Sequence, residues 1–154
     1  MIDRYREGRL PDADPDPGLS RGDDGLGGVE GRVCELLDRT ELTQALEEIW
    51  SRVRRLNRYV EETRPWELAK VAGEEWEAGE ERQSEARLDQ VLYSLAEGLR
   101  TVTQLLYPYM PEAADRLLAA IAEPERSVTS FGSRGGGQQI ERLPPLFPKI
   151  EVAA

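Results

Sequence analysis

Arg64, Pro65 and Trp66 are consecutive residues whose side chains could hold an unpaired nucleic-acid loop. A planar indole stacks on any unstacked base, a contact worth about 1–3 kcal/mol per base. An arginine beside it, together with N–H groups at the start of a helix, can hold phosphate. Upstream on the same stretch, Asn57 carries an amide that both donates and accepts, as reading a base edge requires. Each residue has a purely structural alternative. A Pro-Trp pair at a helix start is usually a packing corner, because most tryptophans are largely buried. Asn57 is equally suited to a hydrogen bond across a helix seam.

Other chemistries lack their residues. The chain of 154 residues has no histidine and one cysteine, Cys34. Ser-His-Asp and Cys-His nucleophile activation are therefore excluded, and a zinc site is implausible. No cofactor is expected. A single cysteine also rules out an intramolecular disulfide, which suits a reducing, cytoplasmic compartment. No apolar run reaches bilayer length and residues 1–11 are polar, so neither a membrane span nor a signal peptide is expected. The net charge of −10 argues against a generic nucleic-acid binder. The charge is uneven, however. Residues 49–66 hold five arginines against Glu61 and Glu62, whereas residues 1–48 and 67–97 are both strongly acidic.

The element that must position the Trp66 corner is the stretch from Ala45 to Lys70. Leu42, Leu46, Ile49, Val53, Leu56 and Val60 recur every three or four residues, the pattern of one buried helical face. Trp50 sits on the flank of that stripe, and Thr40 is a suitable N-cap. Arg64 precedes a proline, which pushes it out of the helical region and stops the helix near Thr63. Pro65 fits the first turn of a new helix, where its missing N–H costs nothing.

The surrounding chain reads as helices. Residues 2–9 look like the tail of a longer, truncated leading helix with Ile2 and Tyr5 on one side, too short to be stable alone. Residues 11–28, rich in Pro, Gly and Asp, read as a flexible linker without fixed structure. A helix over 29–38 turns Val33, Leu36 and Leu37 inward, with Cys34 as a small, partly buried packing residue. Residues 70–81 form an acidic, solvated connection in which Trp76 covers an apolar edge. Ser84 opens a second long helix whose stripe is Leu88, Leu92, Leu95, Leu99, Val102 and Leu106. Matched stripes predict antiparallel packing at a shallow angle. Pro108 ends that helix and Pro111 starts the next, with Ala114, Leu117, Leu118 and Ile121 inward. Residues 125–139, containing SFGSRGGGQQ, read as a mobile loop. They are not a phosphate loop, since no strand precedes the glycines. The tail lays Ile140, Leu143, Leu146, Phe147 and Ile150 against the bundle in extended form. The fold class is all-α, an antiparallel helix bundle spanning 29–123, with a loop and an extended C-terminal tail over 124–154.

The runs NRYVEETRPWELAK, RLDQVLYSLAEGLR and LLYPYMP, framed by MIDRYREGRLP and LPPLFPKIE, resemble the anticodon-binding domain of methionyl-tRNA synthetase. The resemblance covers most of the chain and is weakest at 11–28 and in the glycine-rich loop. It implies a helix bundle that presents a surface to the CAU anticodon of methionine tRNA. It implies that Trp66 stacks on an anticodon base, that Pro65 shapes the corner, and that Asn57 lies close to the anticodon. An acidic residue one turn later, usually aspartate in the family, helps discriminate anticodons, and here that residue is Glu61. The implied partners are methionine tRNA and the catalytic domain of the same synthetase. The chain departs from the family in two ways. The family's other anticodon-contacting Asn and Arg precede the IDRY segment, and no HIGH-like or KMSKS signature occurs. The expectation is a non-catalytic C-terminal fragment of a methionine–tRNA ligase. The competing expectation, from a different class, is a helical protein-interaction or scaffold module with no RNA role.

Overall fold

The molecule is built around a helix that is buried on nearly every side. In this computed structural model, which describes residues 1–71 and 78–147, the elements run α1 (Ile2–Arg6), α2 (Pro17–Ser20), α3 (Val29–Asp38), α4 (Leu42–Thr63), α5 (Pro65–Val71), α6 (Ala78–Leu106) and α7 (Pro111–Ala120). No strand occurs among the described residues, only an isolated antiparallel bridge between Arg9 and Gln139. From Val91 to Leu105, α6 exposes only Leu99. It packs against α3, α4, α5 and α7. The main core gathers Val29 and Val33 of α3, Ala45, Ile49 and Tyr59 of α4, and Val91, Val102 and Leu105 of α6.

α4 and α6 run antiparallel, as their matched stripes predict. Tyr59 lies at the level of Ser94, both bonded to Asp16. Gly98 sits against Leu56, whose side chain a Cβ at position 98 would strike. Trp50 and Val53 line a shared cleft with Val102 and Leu106. Glycine at 98 therefore lets the two helices cross closely. The buried face of α4 is rotated from the expected stripe. Leu42 is exposed and Leu46, Val53, Leu56 and Val60 are only partly covered, while Ala45, Ile49, Arg52 and Tyr59 are buried. The reason is α6, α3 and residues 16–26 converging on one side, which draws in a polar arginine and a tyrosine hydroxyl that hydropathy spacing ignores.

Residues 11–28 are not a flexible linker. Asp16 is buried and caps α2 by accepting the Gly18 N–H at 2.8 Å, with Pro17 at the first helical position. Leu19 and Leu26 are completely buried in the main core. A short loop over residues 20–25 joins them, closed by the Leu26 N–H donating to the Leu19 carbonyl at 3.0 Å. Two leucines at this spacing supply apolar area that composition alone hides, about 1.5–3 kcal/mol each when fully buried.

Residues 124–139 are likewise anchored rather than mobile. Arg100 of α6, fully buried, donates to Glu97 at 2.9 Å from both Nε and Nη2, to Gln104 at 2.9 Å, to the Ser130 carbonyl at 2.9 Å and to the Thr129 hydroxyl. The Gly132 N–H donates to Glu97 at 3.0 Å. Arg134 donates to the Ile121 carbonyl at 2.7 Å. An irregular segment whose backbone groups are met by a buried ion pair has fixed partners despite its glycines. The next residues pair with the N-terminal segment. The Leu10 N–H donates to Gln138 at 2.9 Å and the Ile140 N–H to Gly8 at 2.8 Å. Ile140, Leu143 and Leu146 are partly covered, as the tail reading required, but Phe147 is 72% exposed.

Three smaller expectations change. Thr40 is not the cap of α4, since it has φ 62° and Glu41 occupies the N-cap with no side-chain bond. Cys34 is exposed, on the outer side of α3. α6 begins at Ala78 rather than Ser84, so it takes in part of the acidic connection. Trp76 and Ile150 lie outside the described residues.

Candidate nucleic-acid interface

The Trp66 corner is made by the way α4 stops. Arg64 adopts φ 42°, ψ 62°, and its N–H returns to the Val60 carbonyl at 3.0 Å. The following proline bars right-handed continuation, so the helix closes with a left-handed residue instead of the extended one that the pre-proline rule favours. For a side chain other than glycine that conformation costs about 1–2 kcal/mol. The Arg64 carbonyl then accepts N–H bonds from Glu67 at 2.8 Å and Leu68 at 3.4 Å, and α5 begins without a spacer. Pro65 is buried and Leu68 packs on the core, while Trp66 between them is 42% exposed. The packing duty of the corner falls to Pro65 and Leu68, leaving the indole partly presented to solvent.

The arginines of α4 are mostly committed to the protein itself. Buried Arg52 donates to Glu48 at 2.7 Å and to the Gly25 carbonyl at 2.8 Å. Arg55 donates to Glu62 at 3.1 Å and to the Gly18 carbonyl at 2.9 Å. Arg58 pairs with Asp24 at 2.8 Å, and Arg64 with Glu67 at 3.3 Å. The basic segment of the sequence is thus largely the clamp that holds residues 16–28 against α4. Only Arg54 among its five arginines has no ion pair or hydrogen bond within the described residues.

Asn57 and Glu61 are both exposed on the outer side of α4. They stand one turn apart and share a shallow depression of 520 Å³ with Ser51, Arg54, Arg58 and Asp24. Neither Asn57 nor Glu61 has a hydrogen-bond partner within the described residues, so the seam bond considered for Asn57 is not made. The structure therefore brings Asn57 and Glu61 together, with Trp66, Pro65 and Arg64 beyond the C-terminal end of the same helix. Arg54 entered the sequence reading only as one of the five arginines of residues 49–66, and Asp24 not at all. The i, i+3, i+7 spacing of Arg54, Asn57 and Glu61 was a usable signal for the first. Nothing local marks Asp24.

A buried polar clip stabilises this surface from behind. The Tyr59 hydroxyl donates to Asp16 Oδ2 at 2.7 Å, Arg87 approaches the same oxygen at 2.8 Å, and the Asp16 N–H donates to Ser94 at 2.8 Å. Burial pushes the Asp16 carboxyl up, but the bonds from Tyr59 and Gly18 and the Arg87 guanidinium outweigh it and hold the carboxyl below its ordinary value. Tyr59 is driven well above a normal phenol by burial, then by its bond to Asp16 and the carboxylate charge. Burial, followed by the Glu97 charge, pushes Tyr93 up to about 12. Both phenols stay neutral donors at ordinary pH.

Among the described residues, no group of three acidic or cysteine side chains is disposed to hold a metal ion. None of their helices is long and apolar enough to cross a membrane.

No family model matches the chain. Whole-sequence comparison does find relatives. The chain is 33% identical to the methionine–tRNA ligase of Caldanaerobacter subterraneus subsp. tengcongensis over 99% of its own length and 23% of that protein's. It is 28% identical to the methionine–tRNA ligase of Clostridium acetobutylicum, with the same shares of each chain covered. Its fold superposes on the free-state crystal structure of Mycobacterium tuberculosis methionyl-tRNA synthetase with a TM-score of 0.78, at 28% identity, covering 99% of this chain and 30% of that one. The chain thus spans about a quarter of the length of the curated relatives it matches. At 33% identity over 99% of its length, and with a fold that superposes over the same share, the chain belongs to the methionyl-tRNA synthetase family, as the counterpart of that quarter.

Proposed function

We propose that this chain is an anticodon-binding domain that recognises the CAU anticodon loop of methionine tRNA, with Trp66 as its stacking platform. The observation that carries the reading is the half-presented indole of Trp66, held between two residues that do the packing, Pro65 and Leu68. With Pro65 and Leu68 packed on either side, the backbone that carries the indole is already placed before a base stacks on it. Asn57 and Glu61 supply the base-reading groups. A carboxylate accepts from the exocyclic amino groups that C and A carry and U lacks, and an amide can pair with either kind of edge. Arg64 is exposed, and solvent screens its pair with Glu67, so it remains available to phosphate. Its partner in the whole enzyme is the synthetase's catalytic domain, in the cytoplasm.

The test is titration of this chain with an RNA stem-loop carrying CAU, against the same stem with an altered anticodon. The parent should prefer CAU, and Trp66→Ala should cost about 1–3 kcal/mol, roughly 5- to 150-fold in Kd. Equal binding of both loops together with no effect of Trp66→Ala would refute the proposal.

A second reading is supported by one specific feature. Trp50, Leu99, Met110 and Phe147 are all exposed and border one apolar cleft between α4, α6 and α7. A helix-binding scaffold module would use that cleft and leave the Trp66 corner idle. It predicts that Trp50→Ser abolishes partner capture while RNA titration gives no signal.

A further inference from the structure

The depression on the outer side of α4 has a polarity that the Trp66 corner does not explain. Arg54 stands at one end, Asn57 one turn along, and Glu61 a further turn beyond, about 10 Å from Arg54 along the helix axis. All three are exposed and none has a protein partner within the described residues. The other cation bordering the depression, Arg58, is held at 2.8 Å by Asp24. Within the depression a phosphate is therefore repelled by Glu61 and finds an unpaired guanidinium only at Arg54.

We infer that Arg54 is a phosphate anchor for the RNA strand, continuing the interface from Trp66 past Glu61 and Asn57 toward the N-terminal half of α4. The inference rests on the proposed RNA-binding function and adds to it a contact and a direction. A nucleotide whose phosphate sits on Arg54 presents its base toward Asn57 and Glu61, so the contact positions the strand without reading sequence. Arginine suits the role, since its planar fork meets two phosphate oxygens at once. Asp24 acts indirectly: by occupying Arg58 it keeps a second cation from competing for the same phosphate.

The test uses the full chain and two stem-loops, CAU and altered, titrated across a range of salt. Removing one phosphate contact to a single strand lowers the slope of log K against log salt by about 0.7, which is about fourfold in affinity at 0.15 M. Arg54→Gln should lose that slope and that affinity equally for both RNAs, with its thermal melt unchanged because the residue is exposed. Arg54→Lys should retain the slope, which a merely structural role for Arg54 would not require. If Trp66→Ala weakens binding but Arg54→Gln leaves slope and affinity unchanged, the anchor is wrong and the anticodon reading stands. If neither the parent chain nor any variant binds RNA, both fall together.

Discussion

Tyr59→Phe removes one hydroxyl from the clip behind the interface and leaves the ring in place. The lost bond, 2.7 Å to a carboxylate, joins two buried residues. Hydrogen bonds to charged groups contribute about 1.5–3 kcal/mol. Arg87 still reaches the same oxygen at 2.8 Å and Gly18 the other, so the loss falls at the lower end, about 1.5–2 kcal/mol. For a domain of this size that corresponds to a fall in Tm of about 3–8 °C. Urea denaturation measures it, with Asp16→Asn as the partner in a double-mutant cycle, because asparagine keeps the cap of α2 and removes the charge. The pH dependence has a definite sign. Asp16 has a depressed folded pKa, so its contribution is fully present above the unfolded value of 3.8. It is lost as pH falls from there through the folded value, and the gap between parent and Tyr59→Phe should close over that window. A loss below about 0.5 kcal/mol, the scale of an ordinary surface substitution, would mean that the Tyr59 hydroxyl does not clip residues 11–28 to α4.

Two further outcomes follow from the packing. Arg100→Met strands the buried Glu97 carboxylate and should cost about 3–5 kcal/mol, while replacing Glu97 and Arg100 together by methionine should cost less. Hydrogen exchange should show residues 129–132 losing protection in the single variant; unchanged exchange there would contradict their anchoring to Arg100. Cys34 should react with a thiol reagent in the native protein as fast as in urea, and a marked native-state protection would contradict its exposure on α3.

Helical periodicity was the readable part of this chain. The existence of α4 and α6, the stop at Arg64-Pro65 and the starts at Pro65 and Pro111 follow from local rules, because backbone sterics and amphipathic spacing act within a few residues, whereas the face that α4 buries does not. The residues of the corner were legible for the same reason. What only the tertiary structure decided is where charge and irregular chain go. Arg52, Arg55 and Arg58 read as a basic surface, yet they meet Gly25, Gly18 and Asp24, partners more than 25 residues away. Leu19 and Leu26 sit in a stretch whose proline, glycine and aspartate mark a loop, yet they are buried in the main core, and the stretch is tied to α4 by a Tyr59–Asp16 bond that spans 43 residues. Composition reports how freely a segment moves in isolation. It cannot report that distant groups supply the hydrogen bonds that hold it still.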